Sequence, residues 1–138
     1  FMHGPENMIE LFHGYTYSGH PLACAAALAA LDTYAEENLF EKAIELEQYW
    51  QDAIHNLKGL PNVIDIRNFG LIGAVEMAPR DGKPGARAYD VFTNCFHRKD
   101  ALIRVTGDVI ALSPPLILEK AHIDELFSKI ADAIKETA

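Results

Sequence analysis

Cysteine is scarce in this chain of 138 residues, which contains only Cys24 and Cys95. Cys24 lies inside an alanine-rich stretch, and we expect both thiols to be small buried groups rather than partners in a disulfide. This usage predicts a reducing compartment and a cytoplasmic location. Neither cysteine has a second one nearby, and no two of the 6 histidines are four residues apart. A structural zinc site is therefore not expected.

The chain also lacks a basic cluster and a long apolar run. Its formal charge is -8, so phosphate groups would be repelled, and neither nucleic acid nor an anionic membrane is an expected partner. No apolar run approaches the roughly 20 residues that a bilayer crossing needs. With 49% hydrophobic and 23% charged residues, the composition is typical of a globular domain with one core. Because the chain opens on Phe1 and Met2, we expect a fragment of a longer protein.

Helical periodicity occurs in several stretches of the sequence. Residues 21–36 begin with a proline that suits the first helical position, and their alanines predict a helix buried on more than one side. Residues 38–58 carry an apolar stripe whose members are alternately four and three residues apart. Two further helices are predicted, over residues 86–100 with Tyr89, Phe92, Cys95 and Phe96 on the inner face, and over residues 121–136.

Strand patterns fill the intervals between these helices. Residues 63–67 and 71–77 form one predicted pair, with a break at 68–70, and residues 101–105 and 109–113 form a second pair. Short hairpin links favour an antiparallel sheet. The sequence therefore predicts an α+β fold of two layers, a small, mostly antiparallel sheet with helices on one face.

The loop over residues 12–21, FHGYTYSGHP, contains no charged side chain and leads into the first helix. Free N–H groups at a helix start, beside the hydroxyls of Thr16 and Ser18, are suited to holding an anion. Thr16 could instead cap the helix or bond to the nearby backbone. His13 and His20 have no paired carboxylate or nucleophile at a suitable spacing, so neither is assigned a catalytic role.

Arg104 stands between Ile103 and Val105 in an otherwise apolar strand. It could be a surface arginine or a member of a structural ion pair. It could also grip a substrate carboxylate with two N–H groups. The pattern leaves both interpretations open. Because the chain has no nucleophile elbow, Gly-x-Gly-x-x-Gly motif or P-loop, no catalytic residue is predicted.

The stretch His13–Pro21, followed by the alanine-rich Ala23–Ala30, closely resembles the class III aminotransferases, which are pyridoxal phosphate enzymes of fold type I. The subgroup that it resembles most is the ω-amino acid:pyruvate (β-alanine:pyruvate) aminotransferases. Further stretches agree with this resemblance: Ile66–Leu71 leading to Ala74–Glu76, then Arg104–Asp108, then Ser113–Leu116. The resemblance implies that residues 1–20 are a large-domain remnant with a phosphate-binding loop. Residues 21–138 would then be a long helix and the C-terminal small domain.

The resemblance also implies roles for two residues. Thr16 occupies the position that reaches the cofactor phosphate of the neighbouring subunit across a homodimer interface. Arg104 falls on the substrate-carboxylate arginine, which can swing aside so that one pocket accepts both an α-keto acid and an amino donor lacking an α-carboxylate.

The family's Schiff-base lysine lies upstream of the phosphate-binding threonine, whereas every lysine here, from Lys42 to Lys135, lies downstream of Thr16. We therefore expect part of an enzyme that transfers an amino group from an ω-amino acid, such as β-alanine, to pyruvate, and we expect the piece alone to be inactive. The alternative is a non-enzymatic α+β ligand-binding or dimerisation module, in which Thr16 and Arg104 hold an anion without chemistry.

Overall fold

The structure is a computed structural model and describes residues 15–138. The chain divides into two compact units, one ending at Glu37 and the other comprising Asn38–Ala138. The first part of the predicted anion-binding loop, including His13, lies outside the described residues. Across residues 15–138, no helix combines the length and the apolar character that a membrane crossing requires.

The first unit contains the helix α1 (Pro21–Glu36), whose bounds agree with the prediction. None of its residues is buried, and Leu22 is 76% exposed. Cys24 is exposed as well. The predictions that this helix is buried on more than one side and that Cys24 is buried are therefore wrong for this structure. The physical reason is that a single helix cannot cover its own apolar surface.

The second unit has the predicted alternation of helices and strand pairs. Its elements are α2 (Leu39–His55), β1 (Val63–Phe69), β2 (Ile72–Met77), α3 (Ala86–Arg98), β3 (Arg104–Thr106), β4 (Val109–Leu112) and α4 (Lys120–Glu136). The strands form a 4-stranded sheet in the order β1-β2-β4-β3, and every neighbouring pair is antiparallel. The predicted α+β fold is confirmed.

The bounds of all four strands differ from the prediction, by one residue in β2 and β4 and by more in β1 and β3. β1 continues through Asn68 and Phe69, and the chain turns at Gly70, whose φ of 53° lies in the left-handed region that glycine adopts without strain. β3 begins only at Arg104, because residues 101–103 make no ladder with β4.

The core lies on one face of the sheet, where α2, α3 and α4 all contribute side chains to a single apolar cluster. Its fully buried members include Trp50 and Ile54 from α2, Val91 and Cys95 from α3, Ile123, Ile130 and Ile134 from α4, and Val75, Met77 and Ile110 from the strands. Alternation along the strands places Val75 and Ile110 as paired residues on this face. The opposite face of the sheet has no helix of this unit packed against it.

The predicted inner face of α3 is wrong in part. Tyr89 and Phe96 are 59% and 50% exposed, and their rings flank that of Phe92 at centroid distances of 5.8 and 6.1 Å. The buried side of the helix consists of smaller residues: Ala88, Val91, Asn94 and Cys95. Small side chains let the helix lie close to its neighbours, which turns the aromatic stripe outward. Burial of Cys95 agrees with the prediction and raises the pKa of its thiol to about 11.

The helix α2 approaches the sheet closely at Gly73 on β2. A Cβ atom on this residue would lie 2.5 Å from Cδ1 of Ile54 and 3.4 Å from Nε1 of Trp50. Both of these side chains are fully buried, and the Trp50 ring meets the Phe127 ring edge-on at 5.0 Å. A side chain at Gly73 would therefore force the buried Ile54 side chain, or α2 itself, to shift.

We expect Gly73→Ala to lower the free energy of unfolding by about 1–3 kcal/mol, because the added methyl overpacks a closed core. Ala74→Val is the matched control, since the next residue of β2 faces away from the helices. Urea denaturation of both variants tests this expectation. Equal stability of Gly73→Ala and the parent chain would contradict the close approach.

The helices α3 and α4 are joined by a polar contact. Glu136 accepts hydrogen bonds from Nζ of Lys99 at 2.8 Å and from Nδ2 of the buried Asn94 at 2.9 Å. The bond from Lys99 and then that from Asn94 hold the pKa of Glu136 below its ordinary value of 4.5. The contribution of this carboxylate to stability is thus present above pH 4.5 and is lost as the pH falls through the lower, folded-state pKa.

We expect Glu136→Gln to be less stable than the parent chain at neutral pH, and its stability to fall less steeply as the pH drops below 4.5. Denaturant midpoints measured across the acid range test both statements. Asp132→Asn, which removes an exposed carboxylate from the same helix, is the control. Parallel acid profiles for Glu136→Gln and the parent chain would contradict the assignment.

Candidate functional site

The first part of the candidate site is the turn that precedes α1. The Ser18 N–H donates to the carbonyl oxygen of Tyr15 at 2.9 Å, and Gly19 adopts a φ of 74°. This turn carries Thr16 on its exposed surface. Within residues 15–138 the Thr16 hydroxyl makes no hydrogen bond, so it does not cap the described start of α1.

The start of α1 lies directly after this turn. Pro21 is at the first helical position, and the N-cap residue His20 makes no side-chain capping bond. First-turn N–H groups without a side-chain partner give the helix start a partial positive charge. A free hydroxyl followed by such a helix start fits the phosphate group of a cofactor.

The second part of the candidate site is the open face of the sheet, which carries Arg104. Pairing across neighbouring strands places Arg67 opposite Ala74, Ala74 opposite Ala111, and Ala111 opposite Arg104. The four residues form one row with an arginine at each end. Strands are spaced by about 4.8 Å, so the two arginine Cα atoms are roughly 14 Å apart. Because the two residues between the arginines are alanines, the surface is shallower in the middle of this row than at its ends.

The two arginines of the row have different surroundings. Nη1 of Arg67 donates to Glu76 at 2.7 Å and also to Asp65, and the bonds to Glu76 and then Asp65 raise the pKa of Arg67. Arg104 is exposed and makes no hydrogen bond or ion pair with any residue of the described chain. The structural ion pair considered for Arg104 is therefore absent here, and its guanidinium can accept an external carboxylate.

Arg104 also borders a cavity of about 760 Å³ at the edge of the second unit. Much of the lining is apolar, from Trp50, Phe92, Ala101, Leu102, Ile103, Leu112, Pro114, Pro115, Leu118 and Leu126. Lys129 lines it too, but its ammonium group is paired with Glu125 at 2.6 Å. Lining side chains from α2, α3 and α4 place this cavity on the helix-covered side of the sheet, so it is separate from the open face that carries Arg104.

Thr16 lies in the first unit and Arg104 in the second. Sequence reasoning selected both residues but missed the alanines at positions 74 and 111, because only strand register places them in one row with Arg104. Their small size within strands was the available signal. Among residues 15–138, no group of three or more His, Cys, Asp or Glu side chains is placed to hold a metal ion.

Comparison with known proteins defines the class. The family of class-III aminotransferases matches residues 2–134, which is nearly the whole chain. The chain therefore belongs to the class-III aminotransferases.

Individual relatives narrow this further. The chain is 60% identical over 129 residues to an omega-aminotransferase of Caulobacter vibrioides, covering 94% of this chain and 29% of that protein. It is 41% identical over 134 residues to a beta-alanine–pyruvate aminotransferase of Pseudomonas aeruginosa, covering 97% of this chain and 30% of that protein. The chain thus spans less than a third of the length of these relatives. The predicted resemblance to the family and to the ω-amino acid:pyruvate subgroup is confirmed.

Solved structures agree with the fold. A thermostable omega transaminase 6-fold mutant from Pseudomonas jessenii superimposes with a TM-score of 0.82 at 32% identity, over 93% of this chain and 30% of that one. An aminotransferase from Vibrio fluvialis in its PMP-bound form gives a TM-score of 0.80 at 30% identity, over 93% and 29% of the two chains. The α+β unit described above is therefore a part of the aminotransferase fold.

Proposed function

We propose that this chain is the C-terminal portion of a homodimeric, cytoplasmic aminotransferase that transfers an amino group from an ω-amino acid, such as β-alanine, to pyruvate. The carbon that bears the donor's amino group becomes a carbonyl carbon, and pyruvate becomes alanine. The names of the relatives from Caulobacter vibrioides and Pseudomonas aeruginosa support this activity. The two free cysteines support a reducing compartment. The family match favours this proposal over a non-enzymatic module.

The cofactor of this reaction is pyridoxal phosphate, which when bound supplies the electron sink needed to move an amino group. We assign Thr16 to its phosphate, with the hydroxyl donating a hydrogen bond across the homodimer interface. The support is a hydroxyl without a partner among the described residues, in a turn that ends at a helix start with no side-chain cap. Residues 1–20 would belong to the large domain with its phosphate-binding loop, and residues 21–138 to a long helix and the small domain.

The observation that carries the substrate assignment is the exposed guanidinium of Arg104 on the open face of the sheet, which has no partner among residues 15–138. A fork of two N–H groups can bind the carboxylate of an α-keto acid and orient its carbonyl carbon. With no ion pair to break, the side chain can also move aside for a donor without an α-carboxylate.

We further propose that the chain on its own does not transaminate. Its first lysine is Lys42, downstream of Thr16, and none can be matched to the lysine that holds the cofactor in the family. Without that lysine no group is available to move the proton of the substrate.

We expect Arg104→Ala, made in the whole enzyme, to lower kcat/KM for pyruvate by about 10–100-fold, the effect of losing a hydrogen bond to a charged group. The half-reaction with a primary amine that has no carboxylate should change by less than about twofold, since no carboxylate is bound there. Single-turnover measurement of each half-reaction tests this.

Arg104→Lys is the matched control, because it keeps the charge but not the fork, and we expect an intermediate loss. The Arg104 side chain makes no hydrogen bond or ion pair in the described chain, so the thermal midpoint of Arg104→Ala should match that of the parent. Unchanged use of pyruvate by Arg104→Ala would refute the carboxylate role.

We expect Thr16→Val to weaken binding of pyridoxal phosphate by the apo-enzyme about 10–100-fold, because one hydrogen bond to a charged group is lost. Thr16→Ser keeps the hydroxyl and should bind nearly as the parent does. Titration followed by cofactor absorbance measures both dissociation constants. Equal affinity of the Val and Ser variants would remove Thr16 from the phosphate site.

A further inference from the structure

Asp108, in the turn between β3 and β4, accepts hydrogen bonds from two other elements. Oδ2 of its carboxylate accepts a hydrogen bond from the N–H of Gly85, the N-cap residue of α3, at 2.5 Å. Its backbone oxygen accepts another from the N–H of Met77, the last residue of β2, at 2.8 Å. One residue thus ties the turn both to the start of a helix and to the neighbouring strand.

The contact between this turn and α3 is close. Gly85 has a φ of 83° and Gly107 a φ of 56°, and a Cβ atom on Gly85 would lie 3.6 Å from Cα of Gly107. The carboxylate of Asp108 also lies at the helix start, where a negative charge is favoured. Its other oxygen, Oδ1, is buried without a hydrogen-bond partner in the described chain. The bond from Gly85 is therefore the main compensation for burying this carboxylate.

This attachment bears directly on Arg104. β3 is an edge strand of 3 residues whose ladder partner is β4, and Arg104 is its first residue. A strand this short has little pairing of its own to resist tilting. The place of Arg104 on the open face therefore depends on how the β3–β4 turn is held, four residues further along the chain.

We infer that Asp108 is a positioning residue for Arg104, which fixes the hairpin so that the guanidinium meets the substrate carboxylate. The inference rests on the proposed carboxylate role of Arg104. It assigns no chemistry to Asp108 itself, whose carboxylate is bonded to the backbone of Gly85.

The test uses the whole holoenzyme and compares the two half-reactions. Asp108→Ala should raise KM for pyruvate about 10-fold or more, as misplacement of a binding group by about an ångström does. It should leave the half-reaction with a carboxylate-free amine within about twofold of the parent. Asp108→Asn retains an oxygen that can accept from Gly85, so it should recover most of the affinity for pyruvate.

A double-mutant cycle tests whether the effect of Asp108 on pyruvate use depends on Arg104. In an Arg104→Ala background, Asp108→Ala should cause no further loss of pyruvate use, because the positioned group is already gone. An additive loss in the double variant would overturn the inference. If Asp108→Ala does not fold, Asp108→Glu, which displaces the carboxylate by one methylene, enters the same cycle with the same expectation.

Gly73→Ala is the control for general destabilisation, since it weakens the same sheet from its helix-covered face. An equal rise in KM for pyruvate in Gly73→Ala at matched loss of thermal stability would overturn the positioning role. The two possible failures are distinct. If Arg104→Ala impairs pyruvate use and Asp108→Ala does not, only the inference fails. If Arg104→Ala has no effect, the proposed carboxylate role fails and the inference fails with it.

Discussion

The close approach of α2 to the sheet at Gly73 is the contact on which the second unit depends. Trp50 and Ile54 are fully buried there, and any side chain on Gly73 would overlap Ile54. Nε1 of Trp50 is buried without a hydrogen-bond partner in the described chain, so the indole is placed by shape rather than by polar contact. The ring also meets Phe127, which brings α4 into the same core.

The face of the sheet that no helix of this unit covers carries charged groups beside exposed apolar residues such as Phe69 and Ile72. On that face Arg67 is neutralised by Glu76 and Asp65, whereas Arg104 has no partner in the described chain. The difference follows from strand position. Arg67 is on β1, next to β2, which carries Glu76, whereas Arg104 is on β3 at the opposite edge of the sheet. A buried helix-side arginine would need a carboxylate partner of its own. An open-face arginine can remain available to a substrate.

The candidate residues Thr16 and Arg104 could be chosen from the sequence, but the contacts of their side chains could not. The motif around Thr16 and the stretch beginning at Arg104 predicted the family, which the match over residues 2–134 confirms, and the roles of the two residues stay predictions. Whether the hydroxyl of Thr16 and the guanidinium of Arg104 are free could not be read from a pattern, because partners come from residues distant in the chain. The attachment of Asp108 to Gly85 joins segments 23 residues apart and had no local signal.

The sequence by itself determined the order of helices and strands, the apolar stripes of α2 and α4, and the α+β class, because these depend on periodicity and on local turn chemistry. Tertiary structure decided which side of α3 is buried, that Cys24 is exposed, and where the sheet brings Arg104, Ala111, Ala74 and Arg67 into one row. The physical reason is that burial and register depend on which surfaces meet. A helix with small residues on one side and aromatic residues on another can bury either side, and the elements that pack against it determine which side is buried.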